Sequence, residues 1–375
     1  MDRKIRLVLA IRSLDVGGAE RQFIELVKGI DKNRFEVMVC TMYKGRRDAH
    51  IEGLTGVNFV HLHKQGRYDV LRFGLRYKKL LKAFAPDVIY AFLGEMSLFS
   101  LWCKPAETKV IWGIRASNMR LHLYGLMPRL LFRLQKELSS RVDAIVTNSR
   151  AAVDFHAKVG FDMRKAEVIY NGIDIQRFKP DAQARREFRL RYNVQEDETV
   201  IGIAARLDPM KGYPIFARAI QRLLQEHPKL KIFSAGTGSA EIKRQCEAIL
   251  GAYDRQRFIW LGEVDEMASF YNGLDLYVSS SLFGEGFSNS VAEAMACGIA
   301  CVVTDVGDSA VIVGETGWVV LPGDADALYR QVKAVLGVCR NKRRKAACRD
   351  RITQNFSIEK MVRQSEEVVR RCAAL

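Results

Sequence analysis

Short apolar runs rich in β-branched residues alternate with longer amphipathic segments along almost the whole chain, a pattern that fits parallel sheets covered on both faces by helices. In the first half the runs fall near Ile5–Ile11, Phe35–Thr41, Val57–Leu62, Val88–Ala91, Lys109–Ile114, Ala144–Thr147 and Glu167–Tyr170. In the second they fall near Val200–Ala204, Lys231–Ala235, Phe258–Leu261, Leu276–Ser279, Ala300–Thr304 and Trp318–Leu321. Two such series in 375 residues predict two doubly wound α/β domains. The alternation breaks near Gly172–Glu198, where Phe178-Lys179-Pro180 and a highly charged stretch from Arg185 to Glu198 intervene. Ligands of open α/β sheets bind outside the carboxyl ends of the strands, so two facing domains of this kind would share a cleft lined by loops that follow strands.

Charge and cysteine usage narrow the chemistry. The formal net charge is +16, which favours an anionic partner: nucleic acid, anionic lipid or a phosphorylated substrate. No apolar run approaches the ~18 residues that span a bilayer. Met1-Asp2-Arg3-Lys4 leads straight into the apolar Ile5–Ile11 run, which reads as a first strand of a cytoplasmic protein rather than a signal peptide. The 8 cysteines show no CxxC pair and several sit inside apolar runs, so they are expected to be buried reduced thiols, Cys297 and Cys301 included.

The motifs follow the strands. Asp15-Val16-Gly17-Gly18-Ala19-Glu20 places two glycines at a helix start, where free N–H groups can approach a phosphate or sugar, or simply make a tight turn. Arg206, after the Val200–Ala204 run, and Lys211-Gly212, before the next helix, set two cations where a diphosphate could lie. Gly236-Thr237-Gly238 and Gly262-Glu263-Val264 close the next two strands. The sharpest feature is Gly284-Glu285-Gly286-Phe287-Ser288-Asn289 running through Glu293 to Gly298: a short helix, capped by Ser288 or Asn289, with its positive end free. Glu285 and Glu293, two carboxylates beside an anion site, suit sugar or ribose hydroxyls.

Gly-Gly-Ala-Glu at 17–20, Tyr170-Asn171-Gly172-Ile173-Asp174, Arg206 with Lys211-Gly212, Gly236-Thr237-Gly238 and Glu285-x7-Glu293, in this order, resemble the retaining GT-B glycosyltransferases of family 4. Phe356-Ser357-Ile358-Glu359-Lys360-Met361 is similar to the start of that family's final helix. The resemblance implies an acceptor-binding Rossmann-like domain over 1–175, a nucleotide-sugar-binding one over 176–355, and a segment 356–375 that packs back on the first. Arg206 and Lys211 would hold the donor diphosphate, Glu285 would face the donor sugar, and Glu293 would bind the ribose. Amides from Gly286, Phe287, Ser288 and Asn289 would contact sugar and phosphate; Gly262, Glu263 and Val264 would contact the base, with Gly236 on the same donor side. Gly17 and Gly18 would serve the phosphate or the acceptor. The implied donor is a UDP-sugar, with no cofactor and no metal; Asp324-Ala325-Asp326 reads as a turn and helix cap rather than a metal motif.

One departure from the family is plain. The loops that in many members carry a histidine near the donor sugar read here Tyr90 to Met96 and Trp112 to Asn118, without one. Arg115, Ser117 and Asn118 are therefore candidates for acceptor or donor contacts, or for stabilising the turn.

Basic residues cluster in two segments of the first half. Lys64, Arg67, Arg72, Arg76, Lys78, Lys79 and Lys82 face one acid, Asp69, and Arg129, Arg133 and Lys136 lie among Leu130, Leu131, Phe132 and Leu134. Such helices either rest on an anionic membrane or turn their apolar side to the sheet. The expectation is a peripheral protein on the inner face of the plasma membrane whose acceptor is a glycan or lipid-linked saccharide. A GT-B sugar-nucleotide epimerase or hydrolase is the nearest alternative, and a basic nucleic-acid binder, for which no recognition motif is present, the more distant one.

Overall fold

A computed structural model describes residues 3–15, 17–66, 68–92, 94–115, 117 and 125–375. Contacts divide the chain into two compact units, Met1–Gly172 with Ile358–Leu375, and Ile173–Ser357.

The first unit is built on a parallel sheet of seven strands: β1 (Ile5–Ile11), β2 (Phe35–Thr41), β3 (Val57–His61), β4 (Val88–Phe92), β5 (Lys109–Ile114), β6 (Ala144–Thr147) and β7 (Ala166–Val168), in the order β3-β2-β1-β4-β5-β6-β7. Successive side chains of a strand point to opposite faces. Leu7, Leu9, Ile11, Val37, Val39, Val88 and Tyr90 therefore meet Phe23, Ile24 and Val27 of helix Gly18–Gly29 on one face. Val8, Ala10, Met38, Ile89 and Ala91 meet Phe73, Tyr77 and Leu81 of helix Leu71–Phe84 on the other. Both faces are covered, which is why the strands read as continuous apolar runs. The last helix, Ile358–Ala373, adds Met361, Val362, Val368 and Val369 to the first of these cores. Gly172 is required by that docking, because a Cβ there would stand 2.6 Å from Ile358 Cα.

The second unit repeats the plan with six strands, β8 (Thr199–Ala204), β9 (Leu230–Ala235), β10 (Phe258–Gly262), β11 (Leu276–Ser279), β12 (Ala300–Thr304) and β13 (Trp318–Val320). Their order, β10-β9-β8-β11-β12-β13, is the doubly wound one, and its direction reverses between β8 and β11. The charged stretch that interrupts the alternation belongs to the second unit. It forms helix Ala182–Arg191, and Arg185 and Arg189 reach Asp275, which is completely buried, at 2.7 and 3.5 Å. Arg340 and the Val200 N–H complete the cage around that carboxylate at 2.8 and 2.9 Å. All eight cysteines are buried and unbridged; burial pushes the Cys40 thiol up to about 12.

Candidate functional site

The reversal of strand order puts the carboxyl ends of β8 and β11 side by side, and the residues after them build the site. The loop after β8 carries the exposed Arg206, then Asp208, whose side chain accepts the Met210 N–H at 3.0 Å and sets up the turn that ends in Lys211 and Gly212. The loop after β11 is Ser280 to Glu285. Ser280 Oγ donates to Lys211 O at 2.9 Å and Leu282 N to Met210 O at 2.7 Å, so the two loops are laced together. Gly212 permits this closeness: its φ is +65°, and a Cβ there would stand 2.0 Å from Ser280 O.

The lacing continues outward on both sides. Leu207 N donates to Thr237 O at 3.0 Å, and Gly236 N to Gly262 O at 2.6 Å, joining the loops after β9 and β10 to that after β8. Thr304 Oγ1 donates to Ser281 O at 2.6 Å and Asp308 N to Gly286 O at 2.9 Å, adding the end of β12. Fixed loops of this kind hold polar groups in place before a ligand arrives, which is what electrostatic recognition of a charged ligand requires.

Glu285 lies at the centre. Lys211 Nζ pairs with its Oε1, and Ser281 Oγ donates to the same oxygen at 2.7 Å. Burial by itself would raise the pKa of this carboxyl; the Lys211 charge and hydrogen bond, the Ser281 hydroxyl and the Arg206 charge outweigh it and hold the group below its ordinary value, hence ionised. Next in the chain, helix Asn289–Ala296 begins with no acidic residue in its first turn. Ser288 is its N-cap residue but makes no side-chain cap bond, contrary to expectation; its Oγ lies 3.4 Å from Ser290 Oγ instead. Ala292, Ala294 and Ala296 are fully buried, and Arg349 Nη1 donates to Ala296 O at 2.8 Å. Glu293, 3 % exposed, accepts the Tyr271 hydroxyl at 2.9 Å. Phe287 packs its ring on Phe356 with centroids 5.3 Å apart, so it serves the fold through its side chain. Glu263 is exposed and Val264 half-buried just after β10.

In the first unit, Gly17 and Gly18 sit where helix Gly18–Gly29 starts, after β1. The Glu20 side chain folds over them: a Cβ on Gly17 would lie 2.0 Å from Glu20 Oε2. Burial raises the Glu20 pKa, its own backbone hydrogen bond lowers it, and the Asp15 charge adds to the rise. A carboxylate on this approach suits a hydroxyl-bearing ligand better than a phosphate. Arg115, just past β5, donates from Nη2 to Tyr90 Oη at 3.2 Å and from Nη1 to Asn171 Oδ1 at 3.4 Å, and its guanidinium lies 4.8 Å from the Phe92 ring centroid. Its buried Nε makes no hydrogen bond. Ser117 is buried, whereas Asn118 lies outside the described residues.

Two family patterns match the chain: Glycosyltransferase Family 4 over residues 16–177 and Glycosyl transferases group 1 over residues 198–337. The chain is a group 1, family 4 GT-B glycosyltransferase. Among its relatives is the lipopolysaccharide core biosynthesis mannosyltransferase LpcC of Rhizobium leguminosarum bv. viciae, 29% identical over 257 residues, covering 63% of this chain and 70% of LpcC. Another is the Campylobacter jejuni N-acetylgalactosamine-N,N'-diacetylbacillosaminyl-diphospho-undecaprenol 4-alpha-N-acetylgalactosaminyltransferase, 25% identical over 314 residues and 80% of each chain. The fold is that of Anabaena Alr3699/HepE, solved in complex with UDP, at a TM-score of 0.83 and 19% identity over 98% of this chain and 100% of that one.

In this glycosyltransferase Arg206, Lys211 and Glu285 come together, with Gly286, Ser288 and Asn289 continuing from Glu285 into the helix. Ser280, Ser281, Tyr271 and Thr304 escaped the sequence reading, although the Ser279-Ser280-Ser281 run at a strand's carboxyl end was a usable signal. Asp324 caps helix Ala325–Val335 by accepting the Ala327 N–H at 2.8 Å, and Asp326 pairs with Arg222. Neither belongs to a metal-binding group; the cluster of potential ligands found among the described residues is elsewhere, at Asp48, Glu52 and His61.

Proposed function

We propose that this glycosyltransferase moves a sugar from a UDP-sugar to a glycan or lipid-linked saccharide presented at an anionic membrane, in glycoconjugate synthesis of the lipopolysaccharide type, with retention of anomeric configuration. The observation that carries the donor reading is the buried, ionised Glu285, paired with Lys211 and favoured by the Arg206 charge, just ahead of a helix start whose N-cap Ser288 makes no side-chain cap bond. The UDP bound by Alr3699/HepE and the named activities of LpcC and the Campylobacter transferase support the choice of donor and acceptor.

Arg206 and Lys211 take the diphosphate, and their charges stabilise the leaving UDP as its bond to the sugar lengthens. The amides at Gly286 to Asn289 assist, and Glu285, released from Lys211, accepts hydrogen bonds from the sugar hydroxyls. Glu293 takes the ribose while remaining bonded to Tyr271. The acceptor attacks from the face the phosphate leaves, and the departing phosphate takes its proton; the two cations do the work a metal does in other transferases. Arg115 and the Gly17-Gly18-Glu20 corner serve the acceptor.

Membrane attachment rests on two helices of the first unit. Helix Leu71–Phe84 turns Phe73, Tyr77 and Leu81 to the sheet, yet Leu71 and Leu75 stand 81% and 69% exposed among Arg72, Lys78, Lys79 and Lys82. Helix Leu126–Leu138 has no fully buried residue, with Leu126 and Leu130 exposed beside Arg129 and Arg133. Two expected membrane cations serve the fold instead: Lys64 donates to Gly66 O at 2.6 Å and Arg76 to Asp69 at 2.6 Å, while Arg67 lies outside the described residues. Each near-surface cation adds about 1 kcal/mol to binding of anionic lipid. No described helix is long and apolar enough to cross a membrane.

The test is transfer from labelled UDP-sugars to lipid-linked saccharides in anionic and neutral vesicles, with the product anomer read by NMR and pelleting followed in parallel. A product of retained configuration and selective pelleting with anionic vesicles are expected. Inverted product would remove the same-face mechanism, and equal failure to pellet with both lipids at low salt would remove the membrane.

A further inference from the structure

The connection from β2 to β3 brings three potential metal ligands together, far in sequence from the donor residues. Asp48 opens a short turn, Asp48–His50, and is 3 % exposed. Its Oδ2 accepts the Gly45 N–H at 2.8 Å, whereas its buried Oδ1 has no hydrogen-bond partner. His61, the last residue of β3, pairs in register with Thr41 of β2, and its Nδ1 lies 2.7 Å from Thr41 Oγ1. That contact and the Phe59 ring, 4.6 Å away between centroids, fix the imidazole so that Nε2 faces the two carboxylates.

The spacing is loose for a hydrogen-bonded ion pair and fits a metal site. Nε2 stands 3.4 Å from Asp48 Oδ2 and 3.6 Å from Glu52 Oε1, and it is buried without a hydrogen bond. These separations exceed the roughly 2.7–3.2 Å of a good N–H···O bond. They match the edge of a tetrahedron: metal–ligand bonds of about 2.0–2.1 Å at tetrahedral angles set neighbouring ligand atoms ~3.4 Å apart. All three ligand atoms lie within 4.8 Å of one another. In the tautomer whose Nδ1–H donates to Thr41 Oγ1, Nε2 presents its lone pair, and the Gly45 N–H orients the Asp48 carboxylate; hydrogen bonds of this kind usually back metal ligands. A divalent cation would also neutralise the two carboxylates, one of which is buried.

We propose that Asp48, Glu52 and His61 form a zinc site, completed by one water, that fastens the β2–β3 connection. One imidazole and two carboxylates suit a borderline cation such as Zn²⁺ better than Mg²⁺, which prefers octahedral oxygen ligands. The segment it pins carries Lys44, Arg46 and Arg47 and is tied to the loop after β1, where Arg47 N donates to Leu14 O at 2.8 Å. The site is structural, and donor binding by the other unit does not depend on it.

The test is zinc stoichiometry and affinity on the full chain, by elemental analysis after dialysis and by competition with a chromophoric chelator, with Co²⁺ absorption reporting the coordination number. Wild type and Lys211→Met should each hold one equivalent and show a four-coordinate Co²⁺ spectrum. Asp48→Asn and His61→Gln should hold none. Glu52→Gln, at a side chain 53% exposed and therefore tolerant of change, should bind at least about tenfold more weakly. Circular dichroism and a cooperative thermal unfolding transition establish that each variant is folded, and UDP titration shows that the three ligand variants keep an intact second unit. Failure of folded wild type to hold zinc at micromolar free metal, or equal zinc binding by the three ligand variants, would overturn the site.

Discussion

Substitution of Lys211 by methionine does two things that can be separated. It removes a charge-assisted contact to the diphosphate, worth about 1.5–3 kcal/mol, or roughly 10- to 150-fold in UDP affinity. It also leaves Glu285 buried without the Lys211 charge that does most to offset the cost of burial, so its pKa rises and any ionised fraction repels the incoming phosphate. UDP binding by Lys211→Met should therefore strengthen as pH falls through the raised Glu285 pKa, which wild type should not show. Glu285→Gln alone frees Lys211 from its intramolecular partner, so it should bind UDP at least as tightly as wild type while losing transfer. In the double variant the repulsion is absent, and the loss should shrink to the phosphate contact alone. A calorimetric double-mutant cycle at pH 7.5 should give a coupling above about 1 kcal/mol. Additivity to within about 0.5 kcal/mol would refute the shared role of the pair in donor binding.

Other consequences follow from the fold and from the lacing of the loops. Asp275→Ala strands Arg189 and the Val200 N–H in the interior and should cost about 3–5 kcal/mol in denaturant unfolding. Burial would raise the Asp275 pKa, but Arg340, Arg185 and the Val200 N–H hold it below its ordinary 3.8. Its stabilisation is thus complete above that ordinary value and disappears as pH falls through the lower folded-state one, so wild type should lose more stability than Asp275→Asn over that acid range. Gly212→Ala meets both a left-handed φ and the Ser280 carbonyl, so it should displace the 280–282 loop and weaken UDP at least about tenfold, measured by the same titration; wild-type affinity would show that the loops need not touch.

Much of this was legible in the sequence because period and length suffice for buried parallel strands: every apolar run that was read as a strand is one, with boundaries shifted by a residue or two, as at Ala166–Val168. The role of the charged stretch at 182–191 is not legible locally, because Arg185 and Arg189 face inward toward an aspartate some ninety residues away in sequence, which no local pattern encodes. Arg206, Lys211 and Glu285 were legible because each follows a strand at a point where loops meet. Their partners Ser281 and Tyr271 were not, since a serine after a strand and a tyrosine on a helix are ordinary until the chain brings them to a carboxylate. Similarly, Lys64 and Arg76 read as surface charge but are spent on backbone carbonyls.

We propose that the second unit holds a UDP-sugar through Arg206, Lys211 and Glu293 without a metal. Calorimetric titration of wild type, Arg206→Ala and Glu293→Ala with UDP and GDP in EDTA tests it most directly. Micromolar binding of UDP in preference to GDP by wild type, weakened at least about tenfold in both variants, is the predicted result. Absence of UDP binding to the folded wild type, or equal binding by all three proteins, would contradict it.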